Sequence, residues 1–200
     1  MKIGITGGIG SGKSYVCKRL EARGHKVYDC DSAAKRLIRT SHEIRQRLTD
    51  LIGPETYFEE RDELGEGIGY QINKSVVARF LLASEENAKA IDAIVHPAVF
   101  KDFEESGLQW MESAILFESG AIQLVDKSIV VTAPEEIRIE RVMKRDGITR
   151  EKVLEWMNRQ LSQEEVKRRA DYEIVNDGER NIDEQIENFL NKKYKIKCNK

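Results

Sequence analysis

Near the N-terminus, Gly7-Gly8-Ile9-Gly10-Ser11-Gly12-Lys13-Ser14 matches the pattern GxxxxGK[ST] in full. Each residue type suits the grip of a polyphosphate. Glycines let successive backbone N–H groups turn inward into an anion-binding nest, and the start of a following helix adds partial positive charge. In such a loop Lys13 reaches the β- and γ-phosphates, and the hydroxyl of Ser14 ligates Mg²⁺. Nucleotide contacts are therefore expected from Gly8, Ile9, Gly10, Ser11, Gly12, Lys13 and Ser14, with Tyr15 next in line. The motif alone leaves the reaction open.

Three reaction types compete for such a loop. A GTPase switch needs DxxG after a strand and a base-reading NKxD. Asp62-Glu63-Leu64-Gly65 has the first set of letters but lies in a polar loop, and Asn73-Lys74-Ser75-Val76 lacks the closing Asp. An ATPase motor wants a long apolar strand ending in an acid. Ala114-Ile115-Leu116-Phe117-Glu118 comes close, but the chain is short for a motor. A small-molecule kinase needs a carboxylate at the acceptor hydroxyl and a charged lid that excludes water. Asp29 and Asp31 follow the second expected strand, where a doubly wound sheet faces its ligand. Capping of the next helix by Asp31 or Ser32 would also explain them. Arg141 and Arg145, four apart on one helix, present two guanidiniums to one side. A solvated face of ion pairs is the plainer reading of that spacing.

The elements that must place these groups alternate in type. Lys2–Thr6 is a β-branched run ending at the glycine loop, and Lys13–Arg23 has helical spacing before Gly24. A strand is expected over Lys26–Tyr28, and helices over Asp31–Ile38 and Ser41–Gly53. Pro54–Tyr70, rich in glycine and acids, reads as a mobile surface connection. Lys74–Leu82 and Glu85–Val95 read as helices, with Pro97 marking a break or the first turn of another. Ser113–Phe117 and Ser128–Thr132 read as buried strands. Pro134–Ala170 is almost all helix, with Ser162 and Glu165 forming a capping box. Tyr172–Val175 is the last strand and Ile182–Leu190 the last helix, followed by a frayed lysine-rich tail, Lys192–Lys200. Strands alternating with helices imply a parallel sheet covered on both faces.

Composition sets the outer limits. The 200 residues carry a net charge of −2, so no basic excess advertises nucleic-acid binding. Cys17, Cys30 and Cys198 contain no CxxC pair, and His25, His42 and His96 are too scattered for a metal cluster. The two inner cysteines read as small semi-buried residues and Cys198 as a tail thiol. No leader or membrane span is expected, which makes the cytoplasm the default compartment.

Several ordered landmarks together resemble the dephospho-CoA kinase family. They are Ile3-Gly4-Ile5-Thr6 running into the glycine loop, Asp29-Cys30-Asp31, Val95-His96-Pro97, Leu116-Phe117-Glu118, Arg141, Arg145-Asp146-Gly147, Gln160, Ala170-Asp171 and Asn176. The resemblance extends from Met1 to about Phe189 and implies a three-layer α/β P-loop kinase fold. It implies transfer from ATP, with Mg²⁺, to the ribose 3′-hydroxyl of dephospho-CoA; charge and hydropathy already argue against nucleic-acid and membrane partners, and no obligate protein partner is evident. It divides a single domain, residues 1–200, into a core (1–31, 109–140 and 171–190), a helical substrate-binding region (32–108) and a lid (141–170). Lys13, Asp31, Arg141 and Arg145 would be catalytic, with Asp31 at the acceptor hydroxyl and the two arginines on the β–γ bridge and γ-oxygens. Asn176 would border the adenine. His96 would contact the substrate or merely serve its helix terminus. Glu118 would line the substrate cleft or hold a water on Mg²⁺. The sequence departs from the family pattern at Tyr15 (usually Thr or Ser), Ala114 (Pro), Arg138 (Gln) and Asn73-Lys74 (Asp-Arg).

Overall fold

Ile3-Gly4-Ile5-Thr6 forms strand β1 with all four residues buried. A strand enclosed on both faces has no use for polar alternation. The computed structural model describes residues 1–64 and 66–195. In it, β1 is the middle of a five-stranded sheet with β2 (Val27–Asp29), β5 (Trp110–Glu112), β6 (Lys127–Thr132) and β7 (Tyr172–Val175). The order is β2-β5-β1-β6-β7 and every pairing is parallel. From β1 the chain crosses through α1 (Lys13–Glu21) toward one edge. From β6 it crosses through α6 (Glu135–Asp146), α7 (Arg150–Met157) and α8 (Gln163–Arg169) toward the other. That divergence opens a crevice at the carboxyl ends of β1 and β6, where open α/β sheets bind ligands.

One face of the sheet is sealed by α1 and α9 (Ile182–Lys195), whose Val16, Cys17, Leu20, Ile186 and Phe189 pack on Ile3, Ile5, Ile129, Val131 and Ile174. On β1 itself, Gly4 leaves room for Leu116, whose Cδ2 would lie 2.7 Å from an added Cβ. Leu116 is fully buried. This unit comprises Met1–Asp29 and Leu108–Lys200, and Cys30–Gly107 forms a second.

The second unit contains α2 (Cys30–Thr40), α3 (His42–Ile52), a 3₁₀ turn over Pro54–Thr56, β3 (Tyr57–Arg61), β4 (Gly67–Ile72), α4 (Lys74–Ala83) and α5 (Glu85–Ser106). Its core joins Ile44, Leu48 and Ile94 to Leu37, Tyr57 and Ile91. Ser41, Asn73 and Ser84 each cap a helix with a side-chain oxygen.

Four expectations change. Pro54–Tyr70 is no bare connection: it holds the turn and most of an antiparallel hairpin, β3–β4. Tyr57 anchors the hairpin by donating its hydroxyl to the Ile38 carbonyl at 2.9 Å, and burial pushes that phenol up to about 12. Asp62 shapes the hairpin end by accepting the Leu64 and Glu66 amides. Second, the strand expected over Ser113–Phe117 lies earlier, at Trp110–Glu112. Residues 114–119 form turns, because Leu116 is used to cover β1 rather than to extend the sheet. Third, Pro97 ends no helix, since α5 runs 22 residues through it. A proline there forfeits one helical hydrogen bond. Val95, Val99 and Phe103 are buried around it, and their packing offsets that loss. Fourth, the last helix continues to Lys195, past the expected start of a frayed tail, while residues 196–200, Cys198 among them, lie outside the described residues. Cys17 and Cys30 are both buried, as small apolar-like residues.

Restoring the missing amide should stabilise this unit. Pro97→Ala is expected to raise the unfolding free energy by about 1–3 kcal/mol, read from the urea midpoint. A lowered midpoint would mean that the proline is locked in by its surroundings.

Candidate active site

The glycine loop leaves β1 at Gly7 and enters α1 at Lys13. Gly12 precedes the helix with φ +93° and offers no side-chain cap. The loop backbone is closely approached from several directions. A Cβ on Gly12 would fall 2.0 Å from Asn176 Nδ2, and one on Gly10 (φ +78°) 2.4 Å from the Arg138 carbonyl oxygen. A side chain at either place would both strain the backbone and collide with a neighbour. Ser11 Oγ is buried and has no hydrogen-bond partner, an unmet donor within the loop.

Lys13 folds back over the loop, donating from Nζ to the Gly7 carbonyl at 2.7 Å. Glu112 Oε1, at the carboxyl end of β5, stands 3.9 Å from the same nitrogen, with both side chains mostly buried. The positive charge is thus kept over the cradle by one carbonyl acceptor and a nearby carboxylate, both of which a phosphate can replace. Behind Lys13, burial pushes the Cys17 thiol up to about 12, so it is no nucleophile at neutral pH.

Ile9 is held on three sides. Its amide donates to Gln160 Oε1 at 2.9 Å, and its carbonyl accepts from Arg138 Nε at 2.9 Å. Its side chain packs into the cluster of Ile139, Val142 and Val153 that joins α6 to α7. Asn176, just past β7, donates from Nδ2 to the Ser11 carbonyl at 2.9 Å. Its own carbonyl accepts from Arg141 Nη2 at 3.1 Å. Gly12, Tyr15, Arg141, Asn176 and Gly178 line a cleft of about 540 Å³ beside the loop. Tyr15 is 48% exposed there, with the Arg19 guanidinium 5.5 Å from its ring centre.

The residues singled out from sequence therefore separate. Gly8–Tyr15, Arg141 and Asn176 come together around the loop. Ser14 is exposed in the first turn of α1. Arg145 is on the same helix as Arg141 but is engaged elsewhere, bidentate on Asp146 at 2.7 and 2.6 Å. Those hydrogen bonds raise its pKa further. Glu118 is exposed and accepts the Leu161 amide at 3.2 Å, which ties the turn after β5 to the segment between α7 and α8. In the second unit, Asp31 is exposed in the first turn of α2. His96 lies inside α5, 3.5 Å from Asp92 and stacked on Phe100, so the helix-terminus reading of it fails with the break at Pro97.

Sequence reading passed over Glu112 and the clamping roles of Gln160 and Arg138. An acid following Leu108-Gln109-Trp110-Met111, apolar but for Gln109, was the available signal for Glu112, but the more apolar run after it drew the strand forward.

A glycine cradle at the switch point of a parallel sheet, with a lysine and an arginine over it, defines a P-loop kinase with the three-layer α/β fold. The chain belongs to the dephospho-CoA kinase family, whose model matches residues 1–181. It is 40% identical to the dephospho-CoA kinase of Bacteroides fragilis over 197 residues, covering 93% of this chain and 89% of that one. It is 43% identical to that of Porphyromonas gingivalis over 184 residues, covering 87% and 85%. A crystal structure from Thermus thermophilus superimposes with a TM-score of 0.79 at 31% identity, covering 96% and 97%. Among the described residues no helix is long and apolar enough to cross a membrane.

Gly12→Ala, which adds the smallest possible side chain, should weaken ATP binding roughly tenfold or more through strain and displacement of Asn176. Equilibrium titration with ATP checks this, and an unchanged Kd would contradict the close approach.

Proposed function

We propose that the chain transfers the γ-phosphoryl group of ATP to the ribose 3′-hydroxyl of dephospho-CoA, giving CoA and ADP. The supporting observation is the convergence of Lys13, Arg141 and Asn176 on the glycine loop in a chain of this family. The adenine takes the cleft between Arg141 and the Asn176–Gly178 loop, along Tyr15. The triphosphate takes the cradle. Lys13 exchanges the Gly7 carbonyl for the β- and γ-phosphates, a short movement for a flexible ammonium.

The donor set suits Mg²⁺. The Ser14 hydroxyl is exposed at the start of α1, and Glu112 lies at the end of the strand beside β1. Among the described residues no group of three His, Cys, Asp or Glu side chains could hold a metal on its own. That fits an ion carried mostly by phosphate oxygens. Ser14 would ligate it, with Glu112 at one remove, and when bound it would neutralise charge on the β- and γ-oxygens.

Phosphoryl transfer of this kind has a loose transition state, so the protein's work is alignment and charge neutralisation. The O–P bond to ADP breaks as the 3′-oxygen bonds to phosphorus, and the hydroxyl proton leaves late. Asp31 orients that hydroxyl and accepts its proton. Arg141 neutralises charge between the β- and γ-phosphates. Arg145 joins it by trading Asp146 for phosphate. Residues 32–108 hold the acceptor with His96 facing it, Glu118 lines the acceptor cleft or holds a water on Mg²⁺, and 141–170 close as a lid. Core, acceptor region and lid make one working domain.

Coupled ADP release across a panel of acceptors tests the assignment. Turnover should be fastest with dephospho-CoA, and faster turnover with a mononucleotide would overturn the choice. Asp31→Asn should lower kcat by about tenfold or more while leaving ATP affinity intact. Unchanged kcat would remove Asp31 from the mechanism without touching the kinase assignment.

A further inference from the structure

Arg138 is a long cationic side chain with only 6% of its surface exposed. It lies in the second turn of α6, directly after the carboxyl end of β6. Among the described residues it forms no ion pair. Glu135, one turn earlier on α6, is the one carboxylate whose field reaches it appreciably, and burial outweighs that field. Buried charges are ordinarily paired.

Its surroundings are the backbone of the phosphate loop. Nε donates to the Ile9 carbonyl at 2.9 Å. Nη2 would sit 2.4 Å from a Cβ on Gly8, so the guanidinium occupies the space where a Gly8 side chain would be. The carbonyl of Arg138 itself lies 2.4 Å from the corresponding position on Gly10. Gly10, at φ +78° against this residue's backbone, has no room for a side chain, while at Gly8 it is the guanidinium tip that fills the space. Opposite it, Gln160 takes the Ile9 amide, so the two side chains hold one residue by the two successive peptide groups that flank its Cα.

We propose that Arg138 is a positioning residue for the donor phosphates, acting in two ways. It fixes the Ile9 end of the cradle. It also lends the loop a permanent positive charge that finds its counterion only when the polyphosphate arrives. A buried cation with no ion-pair partner beside the phosphate loop raises the affinity for an anion, because in a water-poor setting its field is weakly screened. The ligand-free protein carries the cost of that charge, and nucleotide binding relieves it. This rests on the loop being the donor site, as set out above, but not on the identity of the acceptor.

The test uses displacement of a fluorescent ATP analogue, which needs no turnover. Arg138→Gln keeps a donor for Ile9 and removes the charge, whereas Arg138→Met removes both. For Arg138→Gln, ATP affinity should fall about tenfold, ADP less, and adenosine within about twofold of wild type. Its ligand-free melting temperature should hold or rise, while the ATP-induced shift shrinks. Arg138→Met should bind ATP more weakly still. If Arg138→Met does not fold, Arg138→Gln and Arg138→Lys decide, with Lys retaining most ATP affinity. A purely structural role would lower the ligand-free melting temperature and weaken adenosine as much as ATP. That result, or an unchanged ATP affinity in Arg138→Gln, overturns the proposal. A wild-type protein that binds ATP yet fails to phosphorylate dephospho-CoA would refute the acceptor assignment and leave this measurement readable.

Discussion

The site depends on a stretch of main chain that must stay bare. At Gly7, Gly10 and Gly12 the backbone is pressed by the Val131 carbonyl, the Arg138 carbonyl and Asn176, each closer than an added Cβ would allow. These three come from β6, α6 and the end of β7. The bare loop is thus a place where the carboxyl ends of neighbouring parallel strands and the helix after β6 can all meet it. Parallel order around β1 is what puts them there. The amides so exposed need a ligand of opposite charge, and the lysine, the arginines and the unmet Ser11 hydroxyl all serve that one requirement.

Much of this was legible beforehand because local rules and global fold agree. The loop motif, the strand before it, the helix after it and the Tyr172–Val175 strand stand close to where the spacing places them. Arg141 and Asn176, far from the loop in sequence, meet it in the fold. The failures have physical causes. Ala114–Phe117 is the most apolar run in its region, but Leu116 covers Gly4 from above instead of pairing beside it. Periodicity cannot tell a strand from a plug of the same composition. The Tyr57–Ile72 hairpin hid because its acids and glycines are typical of loops, while its two anchors, Tyr57 to Ile38 and Arg45 over Tyr70, join residues far apart in sequence. Arg145 shares a helix face with Arg141, but its carboxylate partner Asp146 is the next residue in the chain, a pairing that helical-face spacing does not register.

The second unit shows how far packing overrides a local breaker. Pro97 lies in mid-helix, yet α5 continues because it is the long element on which α2, α3 and α4 pack. Interrupting it would open the core around Ile94. Helix propensity is a weak prior when so much burial depends on continuity.

Ile9 belongs at once to two structures. Its peptide forms part of the phosphate cradle, and its side chain is a member of the hydrophobic cluster between α6 and α7. The loop is consequently not a portable module. Grafted into another parallel sheet with its glycines, lysine and serine intact, it would still lack the socket that seats its third residue. An engineer moving this nucleotide site would have to carry two helices along with eight residues of loop.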